Sequence, residues 1–284
     1  KKTFYTILAL MAVVFFAALI LAYIPLKPKS NHTGISPDEA AEMRQRFTEP
    51  HHVFTTTDGE TLFMRRWNPE ILDAQKKAIA VLIFHGITAH SGAYKMTGQP
   101  LSKAGYTTFG LDYRGHGLSG GNRADYPSKE RRIDDLVEAV RFVKGLGFPK
   151  VVVLGHSLGV ASAIYVGKAI PDEIAGLILL SGAYEGKKRV TTPPSLFEKA
   201  KILSTAFFRP SVQVVEYYRE GMTGLDDPLF NFKYTLRFLT ILDMQELRLP
   251  EDLDIPMLVG VGDKDELFDV EKVRALYDEV PGDR

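Results

Sequence analysis

The chain has 284 residues, balances 35 lysines and arginines against 35 aspartates and glutamates, and contains no cysteine. That length suits one ordinary domain with a large core, and the charge balance argues against nucleic acid as a partner. Without cysteine there are no disulfides, no thiolate catalysis and no cysteine metal site.

Residues 4–24 are 21 residues without a charge, about 31 Å as a helix, which matches the hydrocarbon core of a bilayer. Tyr5 and Tyr23 fall near the two ends, where interfacial aromatics gather. The run exceeds the roughly 7–15 residues of a signal h-region, and Ala22-Tyr23-Ile24-Pro25 offers no small-residue cleavage site. A retained single-pass anchor over residues 1–24 is therefore expected rather than a cleaved signal peptide. Lys1 and Lys2 balance Lys27 and Lys29 across the span, so its terminal position sets the expected topology, N-terminus inside and domain outside.

Residues 25–49 read as a linker and a short helix. Pro25, Pro28, Ser30, Asn31 and Gly34 give a polar stretch with little power to pack. Ser36-Pro37-Asp38-Glu39 then starts a helix, with Ser36 as cap, Pro37 in the first turn and Glu39 completing a capping box.

Residues 50–284 form the expected catalytic domain. Alternation over 53–67 around Asp58-Gly59 predicts a hairpin with a type I′ turn. Strands are expected at 78–84, 106–113, 151–154, 174–180 and 255–261, with helices at about 92–103, 128–144, 160–170 and 270–280. Continuous apolar strands separated by amphipathic helices mean an α/β fold, a mostly parallel sheet with helices on both faces. Residues 184–250 interrupt the alternation, and Leu196, Phe197, Ala200, Leu203, Ala206 and Phe207 recur there near helical spacing. An insertion on the side where the strands end predicts a helical cap, its aromatics forming a core of their own.

Chemistry concentrates at Gly155-His156-Ser157-Leu158-Gly159, a G-x-S-x-G between a buried strand and a helix. That context makes it a nucleophile elbow, a sharp turn presenting the Ser157 hydroxyl above the sheet edge. A serine of this kind needs two backbone N–H donors for the developing oxyanion. Leu158, the next residue, supplies one, and Ile87, after His85-Gly86 at the end of a strand, supplies the other. The acid belongs after the strand 255–261, where Asp263, Asp265, Glu266 and Asp269 compete. The base should come last, yet none of the seven histidines (His32, His51, His52, His85, His90, His116, His156) follows Asp269. His85, His116 and His156 follow core strands but read as loop residues, and His156 adjoins the serine on a turn where neighbouring side chains diverge. A turn at 281–284 should lead into one more strand, the histidine loop and a final helix, so the sequence is expected to stop short of them. His85 and His90 have no carboxylate or cysteine at ligand spacing, which argues against a metal site.

His85-Gly86-Ile87-Thr88-Ala89-His90-Ser91-Gly92-Ala93-Tyr94 resembles the loop and helix start of the monoacylglycerol lipase and lysophospholipase family of α/β-hydrolases. Residues 112–121 resemble that family's next loop, 155–159 its elbow and 262–269 its acid loop. The resemblance covers about 50–284 and implies Asp265 as the acid, 184–250 as a lid, and a serine hydrolase of lipid-like monoesters that uses no cofactor. Thr88-Ala89 in place of Gly-Glu, Pro100 in the following helix and the absence of the terminal histidine depart from the pattern. A peptidase or acyltransferase of the same fold, or an inactive membrane-anchored scaffold, are the alternative expectations.

Overall fold

The computed structural model describes residues 1–284 except 72–74, 184, 188–192, 241–246, 250–252 and 281–284. The turn expected at 281–284 and parts of the cap lie outside the described residues. The chain begins with α1 (Lys2–Tyr23), in which Ala22 alone is buried, and α2 (Pro37–Gln45), which carries the expected Ser36–Glu39 capping box. α1 is long and apolar enough to cross a membrane, with mean hydropathy 2.7.

Seven strands then build one sheet: β1 (His51–Thr55), β2 (Thr61–Trp67), β3 (Ile79–Phe84), β4 (Thr107–Leu111), β5 (Lys150–His156), β6 (Gly176–Leu180) and β9 (Met257–Gly260). Their order is β1-β2-β4-β3-β5-β6-β9, antiparallel through the β1–β2 and β2–β4 pairs and parallel from β4 to β9. Alternate residues of β3 serve opposite faces. Ala80, Leu82 and Phe84 pack with α4 (Lys129–Gly145) and α5 (Leu158–Ala169), whereas Val81 and Ile83 pack on the side of α3 (Lys95–Lys103). α8 (Val270–Asp278) follows β9.

Between β6 and β9 lie α6 (Leu196–Phe208), β7 (Val215–Glu216), β8 (Lys233–Tyr234) and α7 (Leu236–Thr240), with β7 and β8 paired antiparallel. Two expectations change here. Leu196, Phe197, Leu203 and Phe207 are exposed rather than gathered into a core of the insertion. The linker also packs: the backbone N–H groups of Lys29 and Ser30 donate to Glu216, and Ile35 N–H donates to the Pro228 carbonyl. Polar residues dock through hydrogen bonds where they have no apolar surface to bury.

The β1–β2 hairpin forms where expected, but its turn differs. Gly59 N–H donates to the Thr56 carbonyl at 2.9 Å, and Gly59 has positive φ (88°) where Asp58 does not. A type I′ turn needs both central residues there, so this loop is a type I turn closed by a left-handed glycine.

At the junction of β3, β5 and α5 the backbones meet with no side chain between them. A Cβ on Gly159 would stand 2.0 Å from the Phe84 carbonyl oxygen, and one on Gly155 would stand 2.1 Å from that of Gly159. Backbone cannot give way as a side-chain end can, so Gly159→Ala should destabilise the fold by about 3 kcal/mol or more, read as a fall in the thermal midpoint.

Candidate active site

Ser157 lies between β5 and α5 at φ 54°, ψ −118°, the strained backbone expected of an elbow. A non-glycine residue there carries a cost of about 1–3 kcal/mol, which the surroundings must offset. They do so through hydrogen bonds: Ser157 N–H donates to the Leu180 carbonyl at the end of β6 (3.0 Å), and Val160 N–H donates back to the Ser157 carbonyl (3.0 Å). Leu158 follows as the first residue of α5, so its amide is one of the helix's unpaired N-terminal donors.

The loop after β3 closes against the elbow. Gly86 is close enough that a Cβ on it would lie 3.4 Å from that of Ser157. Gly86 N–H donates to the Tyr94 hydroxyl (2.8 Å), which in turn meets His156 Nδ1 (2.7 Å). One phenol therefore ties the loop bearing Ile87 to the residue preceding Ser157. The insertion holds the loop's other side. The Tyr234 hydroxyl sits between the carbonyls of Ile87 (2.8 Å) and Asn231 (2.6 Å), and Asn231 N–H donates to the Thr88 carbonyl (2.9 Å).

Of the four carboxylates after β9, the structure turns one towards the elbow. Asp265 Oδ1 accepts the N–H groups of Leu267 (2.8 Å) and Phe268 (2.9 Å). Its burial alone would raise its pKa. The Phe268 and Leu267 amides, the Ser181 hydroxyl and the nearby His156 outweigh that and hold it below the usual carboxylate value. Glu266 instead pairs with Arg219 (2.6 Å), Asp269 faces Lys187 (3.5 Å), and Asp263 is exposed. Ser181, the residue after β6, stands between elbow and acid loop with φ 49°. Its position gives it no distinguishing pattern in the sequence, nor do Asn231 and Tyr234, which lie in the irregular insertion.

Among the described residues, no histidine hydrogen-bonds Ser157. His85 Nδ1–H donates to the Gly86 carbonyl, and its Nε2 accepts Tyr113 N–H; His116 Nδ1–H donates to the Arg114 carbonyl. Burial lowers the pKa of His156, opposed by Asp265. Nor do three histidine or carboxylate side chains converge as metal ligands among the described residues.

The 112–121 loop is built for shape. Asp112 accepts Ser91 N–H (2.6 Å) and Leu118 N–H (2.7 Å), and a Cβ on Gly117 would collide with its carboxylate at 2.1 Å. Arg114 binds Asp135 through Nε (2.8 Å) and Nη2 (2.9 Å) and reaches Asp58 (2.7 Å).

His85 and His116 are fully buried, and both are depressed. For His116 burial is the chief cause, and its pKa falls to about 3. The unfolded chain takes up a proton near pH 6.5 that the folded site refuses, so stability is full above that pH and declines as pH falls towards 3. Unfolding free energies from denaturant titrations between pH 7 and 4 should fall by about 1 kcal/mol per pH unit through His116, with His85 adding in the same direction. His116→Gln should make the decline shallower.

Residues 75–284 match the family described as serine aminopeptidase, S33. The chain is 28% identical over 251 residues to a monoacylglycerol lipase of Mycolicibacterium smegmatis, covering 82% of this chain and 85% of the relative. It is 28% identical over 233 residues to human monoglyceride lipase, covering 78% and 74%. The crystal structure of Paleococcus ferrophilus monoacylglycerol lipase superposes with a TM-score of 0.61 at 22% identity, over 77% of this chain and 84% of that one, which shows a shared fold. The chain belongs to the serine aminopeptidase S33 family and has the α/β-hydrolase fold.

Proposed function

We propose that the protein is a membrane-anchored serine hydrolase that cleaves carboxylic esters of lipid-like substrates through an acyl-enzyme on Ser157. The observation that carries this reading is Ser157 itself, held at φ 54° with the Gly86 loop on one side and the Asp265 loop near His156 on the other. The Ser157 hydroxyl attacks the ester carbonyl, and the N–H groups of Ile87 and Leu158 take the oxyanion. Asp265 orients the histidine that removes the serine proton. In the chain order this elbow fold uses, that base follows the acid. No cofactor takes part. The similarity to lipases of monoacylglycerols supports a glycerol monoester or lysophospholipid as substrate.

The exposed apolar side chains of α6 support delivery of that substrate from a bilayer, with α1 as anchor. α6 runs beside α1: Phe208 meets Phe15 at 5.3 Å between ring centroids, and Lys201 reaches the Ala22 carbonyl. Extraction of membranes with alkaline carbonate should leave the protein in the pellet, whereas release into the supernatant would remove the anchor from this reading.

The family's description favours a second reading, an aminopeptidase. A fluorophosphonate probe on the full-length protein should label the wild type and not Ser157→Ala; an unlabelled wild type would sink the nucleophile. Asp265→Asn should lower kcat by roughly 10³-fold or more. Monoacylglycerols should be turned over in preference to aminoacyl anilides, and the reverse order would select the peptidase. Tyr94→Phe strips the Gly86 amide of its acceptor and should lower kcat by roughly tenfold, with KM little changed.

A further inference from the structure

Where α1 ends, Tyr23 borders a cavity of about 370 Å³ enclosed by α6, the connector after α1, and β7 with β8. Five cations line it: Lys27 and Lys29 from the connector, Lys201 from α6, Arg209 just after α6, and Lys233 from β8. Two carboxylates line it as well, and both are engaged. Glu216 accepts the N–H groups of Lys29 (2.6 Å) and Ser30 (2.8 Å) and the Ser30 hydroxyl (2.6 Å). Glu198 closes a capping box at Ser195 and lies 3.7 Å from Lys29. Lys29 is thereby matched. Among the described residues, Lys27, Lys201, Arg209 and Lys233 have no carboxylate partner.

Lys201 is the most constrained of these. It is 4% exposed, and its ammonium donates to the Ala22 carbonyl (2.8 Å) and to Thr205 Oγ1 (2.9 Å). The first bond caps the end of α1, where the last carbonyls lack helical partners. Capping accounts for two of three donors and leaves the charge without a counter-ion, an arrangement that burial penalises. Arg209 adds a second positive charge nearby, its guanidinium stacked on the Tyr23 ring at 4.6 Å. Two cations facing one cavity, neither paired with a carboxylate among the described residues, describe a site for an anion.

The depth of the cavity narrows the choice of anion. Tyr23 closes an apolar helix, the place where tyrosines lie at headgroup level. Phe208 reaches back to Phe15, about two turns deeper in α1, yet the next side chain, Arg209, returns to Tyr23. That is how an arginine at the edge of hydrocarbon brings its charge to the headgroup layer.

We propose that this cavity binds the phosphate of an anionic phospholipid, with Lys201 and Arg209 as its inner contacts and Lys27 and Lys233 at its rim. The site rests on the reading of α1 as a membrane span and is independent of the catalytic assignment. The test uses full-length protein in detergent, with lipid retention read by native mass spectrometry. Phosphatidylglycerol should be retained as a single bound lipid, and phosphatidylcholine at least about tenfold more weakly. Excess glycerol 3-phosphate should not displace it. Arg209→Gln with Lys233→Gln should weaken phosphatidylglycerol binding by about tenfold or more. This pair avoids the buried Lys201, and an unchanged thermal midpoint certifies its fold. Equal retention of the two lipids, or a double variant that binds as the wild type does, would overturn the site. Displacement by glycerol 3-phosphate would overturn the lipid as its occupant in favour of a soluble phosphate ester. Carbonate extraction and probe labelling read the anchor and the nucleophile separately, so their failure is distinguishable from failure of this site.

Discussion

Three backbone segments meet at the centre of this molecule with no side chain between them. The carbonyl of Phe84 ending β3, the glycine opening the elbow and the first turn of α5 approach so closely that a methyl group at Gly155 or Gly159 would lie near 2 Å from a carbonyl oxygen. That contact fixes how steeply α5 leaves β5, and the steepness obliges Ser157 to take positive φ. The strain persists because the parallel ladder β3–β5–β6 continues up to the turn: Phe84 pairs Gly155, and Leu180 pairs His156. The strained serine is therefore a consequence of sheet packing, and a looser junction would relax it.

A second constraint supports the first. The loops flanking the elbow are shaped around two buried charged groups, Asp112 and Arg114, whose partners offset the cost of their burial. Asp112 binds backbone from both the 85–94 segment and its own loop, so two segments about twenty residues apart are shaped around one carboxylate. Arg114 meets Asp135 and Asp58, joining that loop to α4 and to the β1–β2 turn. Gly117 has positive φ for the same reason, since the backbone must curl close around Asp112, whereas Gly115, also at positive φ, lies against the Asn122 carbonyl. Much of what makes this motif conspicuous in the sequence serves its shape.

The strands, the helices and the elbow were legible in the sequence because each follows a local rule: apolar runs, a capping serine, a glycine where backbones touch. By residue chemistry alone the Asp265 loop was legible only as a cluster of acids, and the family resemblance chose among them; what sets Asp265 apart physically is the set of donors from Leu267, Phe268 and Ser181, a three-dimensional property. The connector at 25–35 was misjudged because polarity forbids apolar burial but not docking: Ser30 is held by Glu216, 186 residues away. Within the insertion Phe232 and Phe238 are buried as expected, but the apolar residues of α6 were misjudged for a related reason. Helical spacing shows that Leu203 and Phe207 share a face, yet the pattern is the same whether that face meets protein or lipid.

The short ladder of β7 and β8 gives these observations a common consequence. Glu216 of β7 holds the connector that follows α1, while its pairing partner Lys233 lines the cavity at the end of α1. The next residue of β8, Tyr234, touches the Ile87 carbonyl in the loop beside Ser157. Two paired residues on each strand thus join the segment leaving α1 to the segment that carries a proposed oxyanion donor. Under the proposed anchoring, the insertion acts as a strut rather than a detached flap, because a flap hinged away from the domain would have to break the Ile87, Thr88 and Glu216 contacts together. Outside this ladder, α6 faces outward with apolar side chains.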